Sequence, residues 1–283
     1  MKSFRIFFTI CALAIAMYAC NNQPASTSEK AAPADTTALP MKIKEENVSY
    51  NVAGDSTMNS FIAYDESSTK KRPAILIIPE WWGLTDYARS RAKQLAALGY
   101  IAMAVDMYGF GKTAPTPDSA MKLSGPFYKD PHIAKMRFDG ALEKIKTYAQ
   151  TDTRNIAAIG YCFGGAQVLN LARLGEDLKG VVSFHGNLIG VPANKDLLKA
   201  KILVCHGEAD QFVKPAELAA FKKQMDSIKA DYTVKTYPGA MHAFTNPEAT
   251  SLGEKFKLPI AYNGAADTAS WKEMQVFFDK IFK

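Results

Sequence analysis

A glycine-rich turn near the middle of the chain constrains the fold more than any other feature. It reads Gly160-Tyr161-Cys162-Phe163-Gly164-Gly165, follows the apolar run 155–159 and precedes the helix-like segment 166–172. A strand, a tight turn and a helix in this order can hold a nucleophile in a strained, exposed position. Because cysteine occupies the point of the turn, the pattern predicts a cysteine nucleophile. The alternative is an inert, buried cysteine in a glycine turn.

The surrounding sequence alternates between strand-like and helix-like segments, which is typical of a mostly parallel sheet with helices on both faces. Two segments flanking a Gly-Asp turn predict an opening hairpin, and the stretch that follows residue 105, through about residue 125, reads as a loop rich in Pro, Gly and Lys. The predicted strands are 48–53, 58–64, 74–79, 101–105, 155–159, 180–184, 201–205 and 232–237, and the predicted helices are 86–98, 132–148, 166–172, 215–228 and 268–282.

The first residues resemble a targeting signal. Lys2 and Arg5 precede a short apolar run that ends in Ala19-Cys20, as in a bacterial lipoprotein signal. The predicted organisation is a signal peptide over 1–19, a flexible tether over 20–45 and a folded domain over 46–283. Cys20 would then carry lipid and place the protein in the bacterial cell envelope. A plain cleaved signal and an uncleaved anchor are the alternatives.

Composition and charge exclude several classes of function. The net charge of +6 over 283 residues comes without a Lys/Arg-rich block, so nucleic-acid binding is not expected. With Cys11 removed in the signal and Cys20 carrying lipid, only Cys162 and Cys205 would stay in the folded domain, so no disulfide framework is expected. The cysteines and histidines lack metal-ligand spacing, and no phosphate-binding or dinucleotide motif occurs. No metal or cofactor is expected.

Three candidate catalytic residues follow predicted strands in the order Cys162, Asp210 and His242. The carboxyl ends of parallel strands meet at one edge of a sheet, so these side chains are expected to converge. A thiol at a helix N-terminus is stabilised as the thiolate, an imidazole can take its proton, and a carboxylate can orient the imidazole. The backbone N–H of Phe163 is a candidate donor to an oxyanion. Nucleophile, acid and histidine in this order are typical of the α/β-hydrolase fold.

The chain resembles the dienelactone hydrolase family over about residues 48–283. The segments that carry the resemblance are Pro79–Leu84, Ala104–Gly109, Gly160–Gly165, His206–Asp210, His242–Phe244 and Ala261–Trp271. The resemblance implies an α/β-hydrolase fold and a Cys-His-Asp triad without a metal or cofactor. It also implies that Glu80 contacts the nucleophile and accepts its proton when substrate binds, and that the N–H of Trp81 is the second oxyanion donor. A solvated charge at a strand end is the alternative interpretation of Glu80.

The substrate pocket is expected to be aromatic. Ordinary core packing is the alternative for about half of the candidates, which are Trp81, Trp82, Tyr108, Phe110, Phe127, Tyr128 and Phe244. Family members that cleave dienelactones have two arginines in the substrate pocket. One follows the segment that corresponds to Asp106–Tyr108, and the other follows the histidine that corresponds to His242. This chain has Lys112 near the first position and Asn246 near the second, so a neutral ester or lactone is at least as plausible a substrate as a dienelactone.

Other polar candidates are better explained by structural roles. Cys205 is expected to be a small core residue, His206 to be structural, and His132 to lie on the surface at a helix start; His185 follows a strand and could touch substrate. The sequence thus predicts a hydrolase of a small-molecule carboxylic ester or lactone that acts through a thioacyl-enzyme. A non-hydrolytic ligand-binding or redox-responsive envelope lipoprotein is the alternative, and a thioesterase or peptidase could use the same triad.

Overall fold

The chain folds as an eight-stranded sheet covered by helices, in a computed structural model that describes residue 1 and residues 40–52 and 56–283. The strands are β1 Ile43–Val52, β2 Ser56–Asp65, β3 Arg72–Ile78, β4 Ile101–Ala104, β5 Thr151–Tyr161, β6 Gly180–Phe184, β7 Lys201–Gly207 and β8 Tyr232–Tyr237. The helices are α1 Asp86–Ala97, α2 Pro117–Lys129, α3 Pro131–Lys146, α4 Phe163–Arg173, α5 Pro215–Ser227, α6 Ala249–Phe256 and α7 Gly264–Ile281.

The strand order is β1-β2-β4-β3-β5-β6-β7-β8. The opening hairpin β1–β2 is antiparallel and joins β4 antiparallel, whereas β4, β3, β5, β6, β7 and β8 are mutually parallel. This confirms the predicted mostly parallel sheet with an opening hairpin. In the register of β3 with β5, Ile78 pairs with Gly160, so the residues that follow both strands emerge side by side.

Both faces of the sheet are apolar because helices cover both of them. Alternate residues of β3 point to opposite sides: Leu76 belongs to the core cluster shared with α3, α4 and α5, and Ile77 to the cluster shared with α1 and α7. A strand buried on both faces reads as a continuous apolar run. For this reason the central strands were recognisable in the sequence.

Two helices were missed by the sequence pattern. The predicted loop through residue 125 contains α2, which begins at Pro117 after the N-cap Thr116. The side chain of Thr116 accepts a hydrogen bond from the Ser119 N–H, and the Ser119 side chain accepts one from the Thr116 N–H. The sequence interpretation was wrong because it read the prolines as loop residues, whereas proline is well tolerated at a first helical position. The second missed helix is α6.

The amino-terminal predictions lie largely outside the described residues. This holds for the signal peptide, for the proposed lipid attachment at Cys20 and for most of the tether. β1 begins at Ile43, three residues before the predicted domain boundary. None of the helices among the described residues combines the length and hydrophobicity needed to span a bilayer.

Candidate active site

Cys162 occupies a strained turn between β5 and α4. Its backbone has φ of 53° and ψ of −115°, in the left-handed half of conformational space that side chains rarely adopt. The flanking glycines allow this turn: a Cβ on Gly160 would lie 2.1 Å from the Gly164 carbonyl oxygen, and a Cβ on Gly164 would lie 2.0 Å from the Ile78 carbonyl oxygen. Cys162 is a free, partly exposed cysteine, as the nucleophile prediction requires.

His242 and Asp210 form a buried pair at the same edge of the sheet. Asp210 follows β7 and His242 follows β8, and the imidazole Nδ1 donates to the Asp210 Oδ2 at 2.8 Å. The other Asp210 oxygen accepts the N–H groups of Phe212 and Val213 at 2.8 and 3.2 Å. Burial opposes ionisation of Asp210, but the hydrogen bond and charge of His242, together with these N–H groups, hold its pKa below the usual range.

The electrostatics of His242 are those of one member of an ion pair. Burial disfavours its charged form, but the negative charge on Cys162 and hydrogen bonds to Asp210 and Cys162 outweigh burial and raise the pKa of His242 to about 10. Cys162 and Asp210 therefore both act on the His242 imidazole at short range, and Asp210 accepts the hydrogen bond of its Nδ1. Sequence order and structure agree on the grouping of these three side chains.

Glu80 lies two residues beyond the end of β3 and is buried, with 3% of its surface exposed. The Asn246 amide donates to its Oε2 at 2.6 Å. Burial raises the pKa of Glu80 to about 7, against the opposing effects of Asn246 and of the charges on His242 and Arg91. A carboxyl group with this pKa can gain or lose a proton near neutral pH. Its burial excludes the alternative of a solvated charge.

Two backbone N–H groups near the nucleophile are free to donate. Phe163 is the first residue of α4, where an N–H has no partner within the helix. Trp81 lies inside a tight turn closed by the hydrogen bond from Gly83 N–H to the Glu80 carbonyl. Within the described part of the chain neither the Phe163 nor the Trp81 N–H has a hydrogen-bond acceptor. Both are therefore available for an oxyanion.

The cavity above Cys162 has a volume of about 430 Å³ and is mainly apolar. Its lining residues are Glu80, Trp81, Trp82, Met121, Ser124, Gly125, Tyr128, Cys162, Asn187, Phe212, Val213, His242, Ala243, Leu258 and Ile260. No lysine or arginine is among them. Four of the residues belong to α2. The sequence pointed to Tyr128 but not to Met121, Ser124 and Gly125, because their segment was interpreted as a loop. The spacing of Ala120, Leu123 and Phe127 was the available helical signal.

Four predicted substrate-binding aromatics do not line this cavity. Tyr108 and Phe127 are buried against Phe163, and the Tyr108 hydroxyl donates to the Trp81 carbonyl at 2.9 Å. Phe110 is 56% exposed, with Lys112 beside its ring. Phe244 is fully buried. These predictions were wrong because sequence alone does not distinguish an aromatic that lines a cavity from one that packs beneath it.

The remaining candidates have structural positions. Cys205 is buried within β7, as expected, and His206 is buried at the end of the same strand. His132 lies in the first turn of α3, where its N–H donates to the Asp130 side chain. His185 is buried, and its Nδ1 accepts a hydrogen bond from the Cys162 N–H. Within residues 40–52 and 56–283, no cluster of His, Cys, Asp and Glu has the arrangement of a metal site.

Comparison with known proteins shows the family of the chain. The family model of the dienelactone hydrolase family matches residues 58–282. A protein of Aquifex aeolicus named "Putative carboxymethylenebutenolidase" is 28% identical over 204 residues, which are 67% of this chain and 88% of that protein.

Two solved structures share the whole domain. The dienelactone hydrolase-like promiscuous phosphotriesterase P91 from metagenomic libraries is 31% identical, with a TM-score of 0.78 over 84% of this chain and 98% of that one. The protein m3DLH is 30% identical, with a TM-score of 0.79 over 85% of this chain and 99% of that one. The chain therefore belongs to the dienelactone hydrolase family, and it is a carboxylic ester or lactone hydrolase of the α/β-hydrolase fold.

Proposed function

We propose that the chain hydrolyses neutral carboxylic esters or lactones with Cys162 as the nucleophile, His242 as the general base and later the general acid, and Asp210 as the residue that orients His242. The observation that supports this most directly is the arrangement of Cys162 on a strained turn in an open cavity beside an imidazole with a raised pKa. A nucleophile, a base and an orienting carboxylate form the minimal set for acyl transfer.

In the proposed reaction the Cys162 thiolate adds to the substrate carbonyl carbon, and the carbonyl electrons move onto oxygen. The N–H groups of Phe163 and Trp81 stabilise this oxyanion. When the tetrahedral intermediate collapses, the bond to the alkoxide leaving group breaks and protonated His242 supplies a proton to it. Water, deprotonated by His242, then attacks the thioester and releases the acid together with the free thiolate.

Glu80 is proposed to exchange a proton with Cys162. Both side chains line the cavity, and the pKa of Glu80 near 7 allows the carboxyl to take either state at neutral pH. Asn246 would hold the carboxylate in place through its hydrogen bond. A Glu80→Gln variant is expected to differ from the wild type in turnover and in iodoacetamide reactivity. Unchanged values of both would exclude this role.

The apolar lining supports a neutral substrate. A carboxylate placed in this cavity would meet no lysine or arginine, the His242 imidazole is already paired with Asp210, and the carboxylate would lie near Glu80. Desolvation of a charge without a partner is unfavourable. In a panel of p-nitrophenyl esters, acetate and butyrate are expected to give higher kcat/KM than the negatively charged hemisuccinate. A preference for the hemisuccinate would contradict the proposed substrate class.

The central experiment is hydrolysis of p-nitrophenyl acetate by the wild type, Cys162→Ala and His242→Ala. Both substitutions are expected to abolish hydrolysis above the background of the buffer. Retention of activity by Cys162→Ala would refute the proposed nucleophile. A folded wild type that is inactive under reducing conditions would instead favour a ligand-binding or redox-responsive function, since an accessible thiol is also open to oxidation.

Attachment to the bacterial cell envelope through lipid on Cys20 stays a prediction of the sequence. Metabolic labelling with a palmitate analogue, compared between the wild type and Cys20→Ala, would test it. Labelling that persists in Cys20→Ala would contradict it.

A further inference from the structure

His185 is a fully buried histidine directly behind the nucleophile, and the proposed reaction does not use it. It follows β6, is 0% exposed and does not line the cavity. Its backbone has φ of 42°, so two residues with positive φ, Cys162 and His185, lie next to each other across neighbouring strand ends. A non-glycine residue keeps this unfavourable conformation only where the surrounding structure holds it, and such residues cluster at active sites.

The imidazole of His185 has a hydrogen-bond partner at each nitrogen. The Cys162 N–H donates to Nδ1 at 3.0 Å. Because Nδ1 accepts, the neutral ring carries its proton on Nε2, which donates to the Thr245 hydroxyl at 2.7 Å. The side chain therefore connects the nucleophile turn to a residue of a different loop.

Thr245 belongs to the loop that carries the catalytic imidazole, three residues after His242. Its hydroxyl lies 2.6 Å from the Tyr87 hydroxyl, and its carbonyl accepts from Arg91 at 2.7 Å. The loop is thus anchored to α1. The rings of His185 and His242 are also in edge-to-face contact, with centroids 5.3 Å apart.

We propose that His185 is a positioning residue that ties the Cys162 turn to the His242 loop through Thr245 and thereby sets the distance between the thiol and the catalytic imidazole. This inference rests on the proposed function, in which Cys162 and His242 react together. Displacement of reacting groups by about 1 Å can lower the rate about a hundredfold. His185 is therefore expected to increase the rate of reaction.

The ring is suited to this task because it stays neutral. Burial lowers the pKa of His185 well below the usual range, and the positive charges on His242 and Arg91 act in the same direction. A protonated ring would present an N–H to the Cys162 N–H and lose the contact. The neutral ring keeps Nδ1 as an acceptor for the Cys162 N–H.

Stability alone does not account for the contact with Cys162. The Cys162 N–H also donates to the Phe184 carbonyl at 3.0 Å, so this amide keeps a partner when His185 is removed. Removal of His185 therefore does not leave the Cys162 N–H buried without an acceptor. What is lost is the connection between the two loops.

The first test compares His185→Gln with His185→Leu in the full chain. The oxygen and nitrogen of a glutamine amide can replace the acceptor and the donor of the ring, whereas leucine supplies neither. In this apolar setting leucine is expected to be at least as stable as glutamine. We expect kcat for p-nitrophenyl acetate to fall about tenfold to a hundredfold in His185→Leu and much less in His185→Gln, with KM little changed.

A second readout does not depend on turnover. The rate of iodoacetamide alkylation, followed by mass spectrometry on the peptide that contains Cys162, reports how His242 acts on the thiol. This rate is expected to follow the order of kcat and not the order of unfolding free energies from urea titration. An activity order that matches the stability order, or a His185→Leu variant with wild-type kcat and alkylation rate, would overturn the proposal.

The other end of the connection gives a third test. Thr245→Val removes the hydroxyl at nearly constant volume and should reduce kcat by a factor similar to that of His185→Leu. Since both act through one connection, the double variant should lose little more than either single variant. The matched control is Thr151→Val, a buried threonine at the opposite end of β5 whose hydroxyl donates to the Ile145 carbonyl at 2.7 Å.

Thr151→Val is expected to lose stability and keep the alkylation rate of Cys162. Multiplicative losses in the double variant, or a loss of alkylation in Thr151→Val equal to that in Thr245→Val, would contradict a specific connection. Failure of the proposed function is seen separately, as hydrolysis that persists in Cys162→Ala. In that case the alkylation rates still decide whether His185 positions Cys162.

Discussion

At the scale of single residues, the candidate site combines groups whose environments push their proton affinities in different directions. Burial brings the pKa of Glu80 up to about 7, whereas His242 is raised to about 10 against burial by the negative charges around it. Such divergence is characteristic of sites that move protons. The titration of each side chain should therefore be visible in the pH dependence of activity or of stability.

The first prediction concerns Asp210. Its charge and hydrogen bond help to raise the pKa of His242, so Asp210→Asn should lower that pKa from about 10 towards the usual value of His. The imidazolium then loses its proton at a lower pH, so the alkaline limb of the pH profile of kcat/KM should shift to lower pH. We also expect turnover to fall by about 10²- to 10⁴-fold.

The matched control for Asp210 is Glu208→Gln, which removes an exposed carboxylate from the same turn. Its alkaline limb should stay at the wild-type position. A limb that is unmoved in Asp210→Asn would show that Asp210 does not govern the protonation of His242.

The second prediction concerns the stability cost of Glu80. An acid with a raised pKa in the folded state binds more protons folded than unfolded between its two pKa values, so the free energy of unfolding decreases as pH rises through that window. From a usual value of 4.5 to about 7, the loss amounts to about 3 kcal/mol. The free energy of unfolding of Glu80→Gln should therefore increase relative to that of the wild type as the pH rises from 4 to 8.

Urea titrations at several pH values measure this difference. Glu254→Gln, at an exposed carboxylate of α6, should run parallel to the wild type across the range. A Glu80→Gln curve that is also parallel would mean that the folded state does not raise the pKa of Glu80.

At the scale of secondary-structure elements, the close packing of α4 on β3 and β5 creates the turn that carries Cys162. The N-terminus of α4 lies so near to the end of β3 that the Gly164 N–H donates to the Pro79 carbonyl at 3.1 Å. Glycine is needed there because the missing side chain leaves room for the neighbouring backbone. α2 lines another part of the cavity, and there a Cβ on Gly125 would meet nothing within 4 Å.

The third prediction follows from this contrast. A Cβ on Gly164 would lie 2.0 Å from the Ile78 carbonyl oxygen, so Gly164→Ala must displace α4. We expect a loss of about 3 kcal/mol or more in unfolding free energy, together with loss of activity. Gly125→Ala in α2 is the control: nothing lies within 4 Å of its Cβ, and it should gain about 0.5–1 kcal/mol from helix propensity. Equal stabilities of the two variants in urea would contradict this account of the turn.

At the scale of the whole molecule, the C-terminal helix is fastened to the rest of the domain by a largely buried ion pair. Arg91 of α1 contacts Asp267 of α7 at 2.5 Å, and its guanidinium also lies over the rings of Tyr87, Tyr161 and Trp271. The same guanidinium donates to the Thr245 carbonyl. One charge therefore links α1, α7 and the loop that carries His242.

The fourth prediction is that Asp267→Asn destabilises the fold by about 3–5 kcal/mol, because it leaves Arg91 buried without its anion. Urea titration measures the loss. Asp231→Asn breaks the exposed pair with Lys201 and should cost about 1 kcal/mol or less. A loss in Asp267→Asn no greater than in this control would show that the buried pair does not fasten α7.

The sequence by itself determined the sheet, the turn and the order of the candidate catalytic residues. Runs of apolar residues report strands buried on both faces, and the glycines around Cys162 report a backbone approach that no side chain permits. Glu80, Cys162, Asp210 and His242 were recognisable because each follows a strand, and the strands end at one edge of the sheet.

The tertiary structure alone decided which aromatics face the cavity, where α2 lies, and that His185 and Asn246 contact Cys162 and Glu80. These are contacts between residues 23 and 166 positions apart in the chain. The local pattern of apolar residues in the sequence indicates which surface of a helix or strand is apolar. It does not report which distant element covers that surface, since this depends on how all the layers pack together.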